Sequence, residues 1–224
     1  MTTTAQIRTF KPRRGRLRRR RQEALRRLGP VYGVAVTGGP LDPVEVFGRR
    51  APLVLEIGFG MGDATAELAA SDPDRDYLAV EVHTPGVANL LLLIEELGLT
   101  NLRVGHGDAL ELLRDRLAPA SLAAVHAFFP DPWPKQRHHK RRLFQPAHVA
   151  LLRSRLAPGG IIHTATDWPE YAETMLAVLE ADPELSNVYD RWAPRQVDRP
   201  QTRYEQRALA AGRPVFELVF RRDR

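Results

Sequence analysis

The segment FFPDPWPKQRHHKRRLF, residues 128–144, contains a single acid, Asp131, between two prolines, and continues directly into a run of cations. Because proline fixes φ and has no backbone N–H, the two neighbouring prolines restrict the Asp131 backbone and remove competing hydrogen-bond donors. A carboxylate held in this way can stabilise positive charge that develops on a reacting group, or accept hydrogen bonds from a substrate. The sequence therefore indicates that Asp131 takes part in chemistry, beside a surface that attracts a polyanion.

Four further acids follow the same pattern, because each lies at or just after the end of an apolar run that is typical of a buried strand. They are Glu56, Glu81, Asp108 and Asp167. In a parallel sheet the carboxyl ends of the strands meet at one edge, where ligands bind. The sequence therefore predicts a ligand site lined with carboxylates. For each acid the alternative is an N-cap of the following helix, and for Asp108 alone that alternative is the stronger one.

The segments that position these acids alternate between strand and helix from about residue 53 onward. Apolar runs predict strands at 52–58, 76–82, 101–109, 121–129 and 159–167. Helical segments are predicted at 62–72, 85–98, 109–117 and 144–156. Apolar strands that alternate with helices are typical of a mostly parallel sheet covered on both faces. The last run, 214–222, alternates with period two and has no helix after it, which predicts an antiparallel strand at one edge.

A glycine-rich turn, EIGFGMG, follows the first of these strands and supplies Gly58, Gly60 and Gly62. The dinucleotide-binding fingerprint needs G-x-G-x-x-G and a helix that holds a pyrophosphate, but here the third glycine comes one residue early and Asp63 follows it. An acid beside this turn disfavours a phosphate and suits a cation, such as the sulfonium of S-adenosylmethionine. Glu81 is then placed to accept hydrogen bonds from both ribose hydroxyls, and Asp108 to meet the adenine.

The net charge of +6 is distributed unevenly along the chain. Residues 1–30 hold eleven Lys and Arg and one acid, whereas the remaining residues sum to −4. Like charges repel, so we predict a mobile arm over 1–30 that binds nucleic-acid backbone outside the active site, followed by a single domain over 31–224. The alternatives are a solvated tail that aids solubility and a transit peptide, although the arm has no serine and only a short apolar stripe.

A second basic cluster follows Asp131 and lies in a span, 132–166, that contains no acid. Its cations are typical of phosphate contacts, and they are Lys135, Arg137, Lys140, Arg141 and Arg142. Trp133 beside them can stack on a base or fill a gap next to the sheet. The adjacent His138 and His139 converge poorly on one metal ion, and no other ligand cluster accompanies them. We therefore expect a solvated or phosphate-facing pair and no metal.

Composition restricts the class of protein. The 224 residues include no cysteine, so the sequence offers neither a disulfide nor a thiolate metal site, and it favours a reducing cytoplasm. The longest apolar stretches, such as 90–94, fall far short of the roughly 20 residues that span a bilayer. We therefore expect a cytoplasmic protein without a membrane segment.

Five stretches of the sequence resemble, in order and spacing, the bacterial tRNA (guanine-N7-)-methyltransferases of the TrmB type. They are LEIGFGMG, EVHTPGV, FFPDPWPKQRHHKRRL, TDWPEYAETML and RPQTRYEQRA, and the match runs from about Arg8 to the C-terminus. The order Phe-Pro-Asp-Pro-Trp followed by basic residues is specific, whereas the glycine turn is not. The resemblance implies an α/β fold of the Rossmann-like class I S-adenosylmethionine-dependent methyltransferases, with a mostly parallel seven-stranded sheet and an antiparallel edge strand.

The resemblance also implies roles for individual residues, with Asp131 as the catalytic residue. The residues implied to bind S-adenosylmethionine are Glu56, Gly58, Glu81, Asp108 and Asp131. Those implied to bind the tRNA substrate are Lys135, Asp167, Thr202, Arg203, Tyr204 and Glu205. The implied RNA-binding loop consists of Arg137, His138, His139, Lys140, Arg141 and Arg142.

The implied reaction transfers a methyl group from S-adenosylmethionine to N7 of a guanine in the variable loop of tRNA and forms 7-methylguanosine. Guanine N7 has a free lone pair, so the reaction needs positioning and no base to remove a proton. We expect tRNA as the partner, no metal or obligatory protein partner, and a monomer or weak homodimer. Two alternatives stay open. An amino methyltransferase would carry Asp-Pro-Pro-aromatic, and a non-catalytic RNA-binding protein would have damaged strand-end acids.

Overall fold

Strands and helices alternate through the computed structural model, which describes residues 9–10, 17–197 and 199–224. The strands are β1 Gly33–Val34, β2 Leu53–Ile57, β3 Asp76–Glu81, β4 Leu102–His106, β5 Leu122–Phe128, β6 Leu156–Thr166, β7 Leu185–Asn187 and β8 Phe216–Arg222. The α-helices are α1 Arg19–Tyr32, α2 Pro43–Phe47, α3 Asp63–Ser71, α4 Thr84–Leu97, α5 Ala109–Asp115, α6 Pro146–Arg155, α7 Pro169–Glu180 and α8 Arg203–Ala210. A 3₁₀ helix spans Gln136–Arg141. None of the helices in the described ranges has the length and apolar character needed to cross a membrane.

These strands form one mixed sheet with the spatial order β1-β4-β3-β2-β5-β6-β8-β7. Strands β1 to β6 are parallel to their neighbours within that group, and β8 pairs antiparallel with both β6 and β7. The predicted α/β class, with a mostly parallel sheet and antiparallel pairing at one side, is confirmed. The sheet has eight strands instead of the predicted seven, because β1 adds two residues beside β4. The outermost antiparallel strand is β7, which has three residues, and β8 lies inside it.

Two apolar cores cover the two faces of the sheet. Successive residues of a strand point to opposite faces, so Leu55 and Val125 pack in the core under α5, α6 and α7. Val54 and Ala124 pack in the other core, under α1, α3 and α4. Every residue of β3 is buried, as expected for an inner strand of a parallel sheet.

Helix α1 belongs to the folded part of the chain, because Ala24 and Leu28 are buried in the same core as α4. Arg27 and Glu95 form an ion pair between these two helices. The predicted boundary at residue 30 therefore needs correction, since it falls inside a packed helix. The other parts of the predicted arm, 1–8 and 11–16, lie outside the described residues.

The chain order reverses between β2 and β5, which are neighbours in the sheet although β3 and β4 come between them in sequence. Helix α3, after β2, and helix α6, after β5, cover opposite faces of the sheet. A crevice opens at the carboxyl ends of two strands whose helices diverge in this way. The fold therefore places a ligand site beside β2 and β5.

Candidate active site

A pocket lies at the carboxyl ends of β2, β3, β4 and β5. Its cavity volume is about 160 Å³, and its mouth is open to solvent. Five of the predicted site residues line it, namely Gly58, Glu81, Asp108, Asp131 and Tyr204. The pocket thus forms at the edge of the sheet where the sequence predicts a carboxylate-lined site.

The glycine-rich turn after β2 forms one wall of the pocket and is shaped by close backbone contacts. Gly58, Gly60 and Gly62 have φ values of 79°, 64° and 82°, in the left-handed region that L side chains rarely adopt. A Cβ at Gly86 would lie 1.8 Å from the Gly60 carbonyl oxygen, and a Cβ at Gly62 would lie 2.8 Å from the Leu90 Cβ. Glycine at these positions therefore lets the turn pack directly on α4.

Glu81 ends β3 and holds this turn in place. Its Oε2 accepts a hydrogen bond from the Gly60 N–H at 2.9 Å. Its Oε1 accepts from the N–H groups of Val82 and His83 at 2.7 and 2.9 Å. A carboxylate has about four lone-pair sites, so these three bonds leave one of them, on Oε2, for a ligand. In this arrangement Glu81 has room for one ribose hydroxyl, where the sequence predicts two.

Glu56 lies behind the pocket wall, on the face of β2 that is covered by α3. Burial raises its pKa to about 7; the nearby Thr65 hydroxyl opposes this shift in part, and the Glu81 carboxylate adds to it. Among the described residues, Glu56 Oε2 and Thr65 Oγ1 have no hydrogen-bond partner. The side chain of Glu56 is buried and does not line the pocket, so the predicted direct contact with the cofactor has no support from this arrangement and stays a prediction.

The sequence leaves open whether Asp108 caps a helix or faces a ligand, and in the structure it does the first while lining the pocket. Its Oδ1 accepts a hydrogen bond from the Leu110 N–H at 2.9 Å and so caps the N-terminus of α5. The same residue lines the pocket. The cap fixes the orientation of the carboxylate and leaves Oδ2 for a ligand.

The segment that carries Asp131 has an unusual backbone conformation. Phe129 and Trp133 flank Asp131 and have φ values of 52° and 44°, although neither is glycine. Left-handed backbone costs a non-glycine residue roughly 1–2 kcal/mol, so other contacts have to hold it. The Phe129 N–H donates to the Ala165 carbonyl oxygen at 2.7 Å, and Arg142 Nε donates to the carbonyl oxygen of the proline after Asp131 at 2.8 Å. These contacts hold Asp131 at the exposed mouth of the pocket.

Arg142 has a structural role, and its side chain is buried, which does not fit the predicted direct contact with RNA. Its side chain is only 1% exposed and donates two hydrogen bonds to Glu170, at 2.9 and 2.5 Å, which lower the pKa of that carboxyl. The guanidinium also lies over the Tyr171 ring, 4.7 Å from its centroid, and 3.0 Å from His139 Nε2. The sequence does not distinguish Arg142 from the cations beside it, because Glu170 lies 28 residues further on.

The other cations of the basic cluster surround the 3₁₀ helix, and three of them are exposed: Lys135, Arg137 and Lys140. Arg141 lies over the Trp133 ring at 4.4 Å from its centroid, and the His138 ring meets the Trp133 ring edge-on at 5.7 Å. Partial burial and then the surrounding cations lower the pKa of His138 below its ordinary value. No group of three His, Asp or Glu side chains suited to a metal ion occurs in the part of the chain that the structure describes.

The N-terminal segment reaches the pocket through Trp133. The indole N–H donates to the Thr9 carbonyl oxygen at 3.1 Å, and both Thr9 and Phe10 line the pocket. The expectation that the arm lies outside the active site is therefore wrong for these two residues. Trp133 fills the space between them and Arg141, which favours the packing role over base stacking.

Helix α8 carries the predicted substrate residues of the TRYE stretch, and the structure divides them into two groups. The Thr202 hydroxyl accepts a hydrogen bond from the Glu205 N–H at 3.1 Å, and the Glu205 side chain is 1% exposed and paired with Arg199. Tyr204 lines the pocket, with its ring within 16° of parallel to that of Phe129 and 6.4 Å between centroids. The predicted tRNA contact of Glu205 does not fit its buried side chain, whereas that of Thr202 stays a prediction, because a capping hydroxyl can still donate a hydrogen bond to a ligand.

Two further predicted substrate residues form ion pairs at the surface. Arg203 Nη2 lies 3.2 Å from Asp63 Oδ2, and Arg213 Nε lies 2.9 Å from Asp167 Oδ2. Ion pairs of this accessible kind contribute little stability and are easily exchanged for other partners. Asp167 and Arg203 therefore stay predicted RNA contacts, although neither lines the pocket.

Sequence reasoning missed several pocket residues, among them Phe129, Thr9 and Phe10. Phe129 had a usable signal, since it ends an apolar run two residues before Asp131. Thr9 had none, because its partner Trp133 is 124 residues away.

Known proteins that are similar to this chain are methyltransferases. A family model described as "Putative methyltransferase" matches residues 50–218. The chain is 53% identical over 218 residues to a tRNA (guanine-N(7)-)-methyltransferase from Streptomyces avermitilis, and the match covers 96% of this chain and 75% of that protein. It is 52% identical over 216 residues to a protein of the same name from Bordetella pertussis, with 96% and 85% covered.

A solved structure shares the fold at much lower identity. The 16S rRNA methyltransferase KamB superposes with a TM-score of 0.61 and 16% identity, over 84% of this chain and 96% of that chain. This likeness concerns the fold alone and agrees with the class I methyltransferase architecture that the sequence predicts. Since relatives more than half identical match nearly its whole length, this chain is a methyltransferase and belongs to the tRNA (guanine-N(7)-)-methyltransferase family.

Proposed function

We propose that this chain transfers a methyl group from S-adenosylmethionine to N7 of a guanine in the variable loop of tRNA, forming 7-methylguanosine. The observation that carries the proposal is the position of Asp131, which a strained segment between two prolines holds at the mouth of a carboxylate-lined pocket. The exposed cations that follow it suit a polyanionic substrate. The reaction takes place in the cytoplasm, in keeping with the cysteine-free sequence. It needs no obligatory protein partner.

The residues of the pocket fit S-adenosylmethionine. Glu81 Oε2 is left for a ribose hydroxyl and Asp108 Oδ2 for the adenine, while the Gly58–Gly60 turn allows a ligand to approach the backbone closely. The carboxylates favour a cationic ligand over a phosphate, because opposite charges attract strongly in a partly desolvated pocket. These features support this cofactor over a dinucleotide.

The chemistry leaves the protein two tasks, positioning and charge stabilisation. When bound, S-adenosylmethionine would supply an electrophilic methyl group, which the free lone pair of guanine N7 would attack as the S–CH3 bond breaks and the neutral thioether leaves. No residue has to remove a proton first, so holding the base in line is the main requirement. Positive charge develops on the purine, and the fixed carboxylate of Asp131 stabilises that charge or accepts a hydrogen bond from the N–H edge of the base.

The exposed cations beside the pocket provide the tRNA-binding surface. Lys135, Arg137 and Lys140 lie within ten residues of Asp131, and Arg18, Arg19 and Arg20 are exposed at the start of α1. Contacts to phosphates orient the nucleic acid and carry no sequence information by themselves. Access to N7 in a folded tRNA additionally requires the local tertiary pairing to loosen.

The test is methylation of bulk unmodified tRNA with the purified protein, followed by nucleoside analysis by mass spectrometry. We expect 7-methylguanosine from the wild type and a strongly reduced amount from Asp131→Asn. Methylated adenosine or cytidine would identify an amino methyltransferase instead. Absence of any product, together with absence of S-adenosylmethionine binding in calorimetry, would contradict the proposal and leave a non-catalytic RNA-binding protein.

A further inference from the structure

A buried ionic cluster lies beside the pocket and has no part in the reaction described above. Its three members, Arg199, Glu205 and Glu217, are at most 4% exposed. Arg199 donates two hydrogen bonds to Glu205, at 2.7 and 3.0 Å, and two to Glu217, at 3.2 and 3.1 Å. His163 Nε2 lies 2.6 Å from Glu217 Oε1. One guanidinium therefore joins helix α8 to strand β8 in a site closed to solvent.

The cluster contacts the sequence neighbours of both aromatic residues at the pocket mouth. Glu205 directly follows Tyr204 in helix α8. The Arg199 guanidinium lies over the ring of Phe128, 5.1 Å from its centroid, and Phe128 directly precedes Phe129. Phe129 and Tyr204 face each other with nearly parallel rings, and both line the pocket. Arg199 is thus connected to each side of this aromatic pair.

The cluster restricts the positions of its side chains more tightly than apolar packing would. Charges removed from water are stabilised only when their hydrogen bonds are well aligned, and a planar guanidinium fork fixes two carboxylates in defined directions. Arg195 reinforces this arrangement, since its Nε donates to Glu205 at 2.8 Å and its Nη2 donates to the Arg199 carbonyl oxygen at 2.8 Å. The cluster therefore fixes the rotation of the first turn of α8, and with it the direction of Tyr204.

We infer that Arg199, through Glu205 and Glu217, positions Tyr204 opposite Phe129, and that these two rings hold a planar base at the pocket mouth. The inference rests on the proposed function, because the base is the guanine of tRNA that is methylated. Stacking on aromatic faces is a common way to hold an unstacked base. Arg199 and Glu205 are positioning residues in this account, and Glu205 acts through Tyr204 without touching RNA.

Arg199→Lys tests the inference because it keeps the buried charge and removes the planar fork. A misplacement of about 1 Å can reduce a rate by roughly 100-fold, so we expect kcat/KM for tRNA to fall by about tenfold or more at a temperature where circular dichroism shows the variant folded. Arg191→Lys is the matched control, since Arg191 pairs with Glu173 at 2.6 Å on the exposed surface. A folded Arg199→Lys variant with wild-type kcat/KM would show that the cluster only stabilises the fold.

A double-mutant cycle with Tyr204→Ala separates positioning from a general effect. If the cluster acts through Tyr204, Arg199→Lys causes little further loss of kcat/KM once that ring is gone. An equal fold-loss in both backgrounds would overturn the inference. If Arg199→Lys does not fold, Glu205→Gln, which keeps the size and part of the hydrogen bonding, takes its place in the same cycle.

Amide hydrogen exchange tests the positioning without any methylation assay. Exchange in residues 203–210 should be faster in Arg199→Lys than in the wild type, and unchanged in Arg191→Lys. Unchanged protection of this helix in Arg199→Lys would contradict the inference. A wild type that makes no 7-methylguanosine contradicts the proposed function, whereas an active wild type with an insensitive Arg199→Lys variant contradicts the positioning role alone.

Discussion

The glycine-turn side of the pocket and its α8 side are held in place by different interactions. On the first side, Glu81 accepts hydrogen bonds from three backbone N–H groups, the furthest of which is 21 residues away. On the second side, Arg199 connects Glu205 and Glu217, and lies over Phe128, through buried ionic and ring contacts. The first arrangement uses one carboxylate and backbone N–H groups, whereas the second is built from charged and aromatic side chains that are buried together. We therefore expect mutations on the two sides to affect cofactor binding and tRNA methylation separately.

The largest effect is expected at Asp131, which lies between the two sides. Asp131→Asn keeps the size and removes the charge, and loss of a group that stabilises transition-state charge reduces a rate by roughly 10²–10³-fold. We expect single-turnover methylation to fall by about that factor, while tRNA affinity measured by fluorescence titration changes little.

The matched control for that change is Asp190→Asn, because Asp190 is also an acid and is exposed at the surface. This control should methylate tRNA at the wild-type rate. Near-normal turnover in Asp131→Asn would contradict the charge-stabilising role and place the chemistry elsewhere in the pocket.

The next effect concerns Glu56, whose pKa burial raises from 4.5 to about 7. The folded protein then binds a proton that the unfolded chain releases, so this contribution to stability is complete below about pH 4.5 and is lost as the pH rises through about 7. Because proton binding is linked to folding, this contribution to the free energy of unfolding decreases by about 3 kcal/mol over that range. Glu56→Gln does not titrate, so urea unfolding should favour the Gln variant increasingly as the pH rises from about 4.5 to about 7.5. A difference in free energy of unfolding that does not depend on pH would contradict the buried placement.

A smaller effect, on the salt dependence of tRNA binding, is expected at exposed arginines and not at a buried one. Arg18, Arg19 and Arg20 are exposed, and each phosphate that a cation neutralises contributes roughly −0.7 to −0.9 to the log–log salt slope of binding. Replacing these three by Gln should make the slope of tRNA binding shallower by about 2 units. Arg142→Lys, at the buried position, should lower the Tm and leave the slope unchanged. An unchanged slope in the triple Gln variant, together with a shallower slope in Arg142→Lys, would place Arg142 on the RNA-binding surface.

The sequence predicts a feature well when residues close together in the chain determine the backbone conformation. The glycines of the EIGFGMG turn and the prolines around Asp131 restrict the backbone within a few residues, and the acids follow strands whose apolar character is plain. Such patterns are sufficient to predict that Glu81, Asp108 and Asp131 meet at one edge of the sheet, and all three line the pocket. Asp108 also shows that an N-cap and a pocket residue can be the same side chain.

Burial of charged residues has no reliable signal in a sequence of this kind. Arg142 sits among exposed cations, and charged residues are usually exposed, so only its tertiary pairing with Glu170 reveals its place. Glu205 is similar, because it is buried only once β8 brings Glu217 beside Arg199. Helix α1 shows the reverse case, in which a short apolar stripe around Ala24 was enough to dock a strongly basic helix.

The most direct test of the two-sided account is calorimetric titration of S-adenosylmethionine into Glu81→Ala and Arg199→Lys. A charge-assisted hydrogen bond contributes roughly 1.5–3 kcal/mol, so we expect the Kd of Glu81→Ala to rise about tenfold or more. Arg199→Lys should bind the cofactor with the wild-type Kd even though it methylates tRNA slowly. Unchanged affinity in Glu81→Ala, or equal losses in the two variants, would contradict the separation of the pocket into a cofactor side and a substrate side.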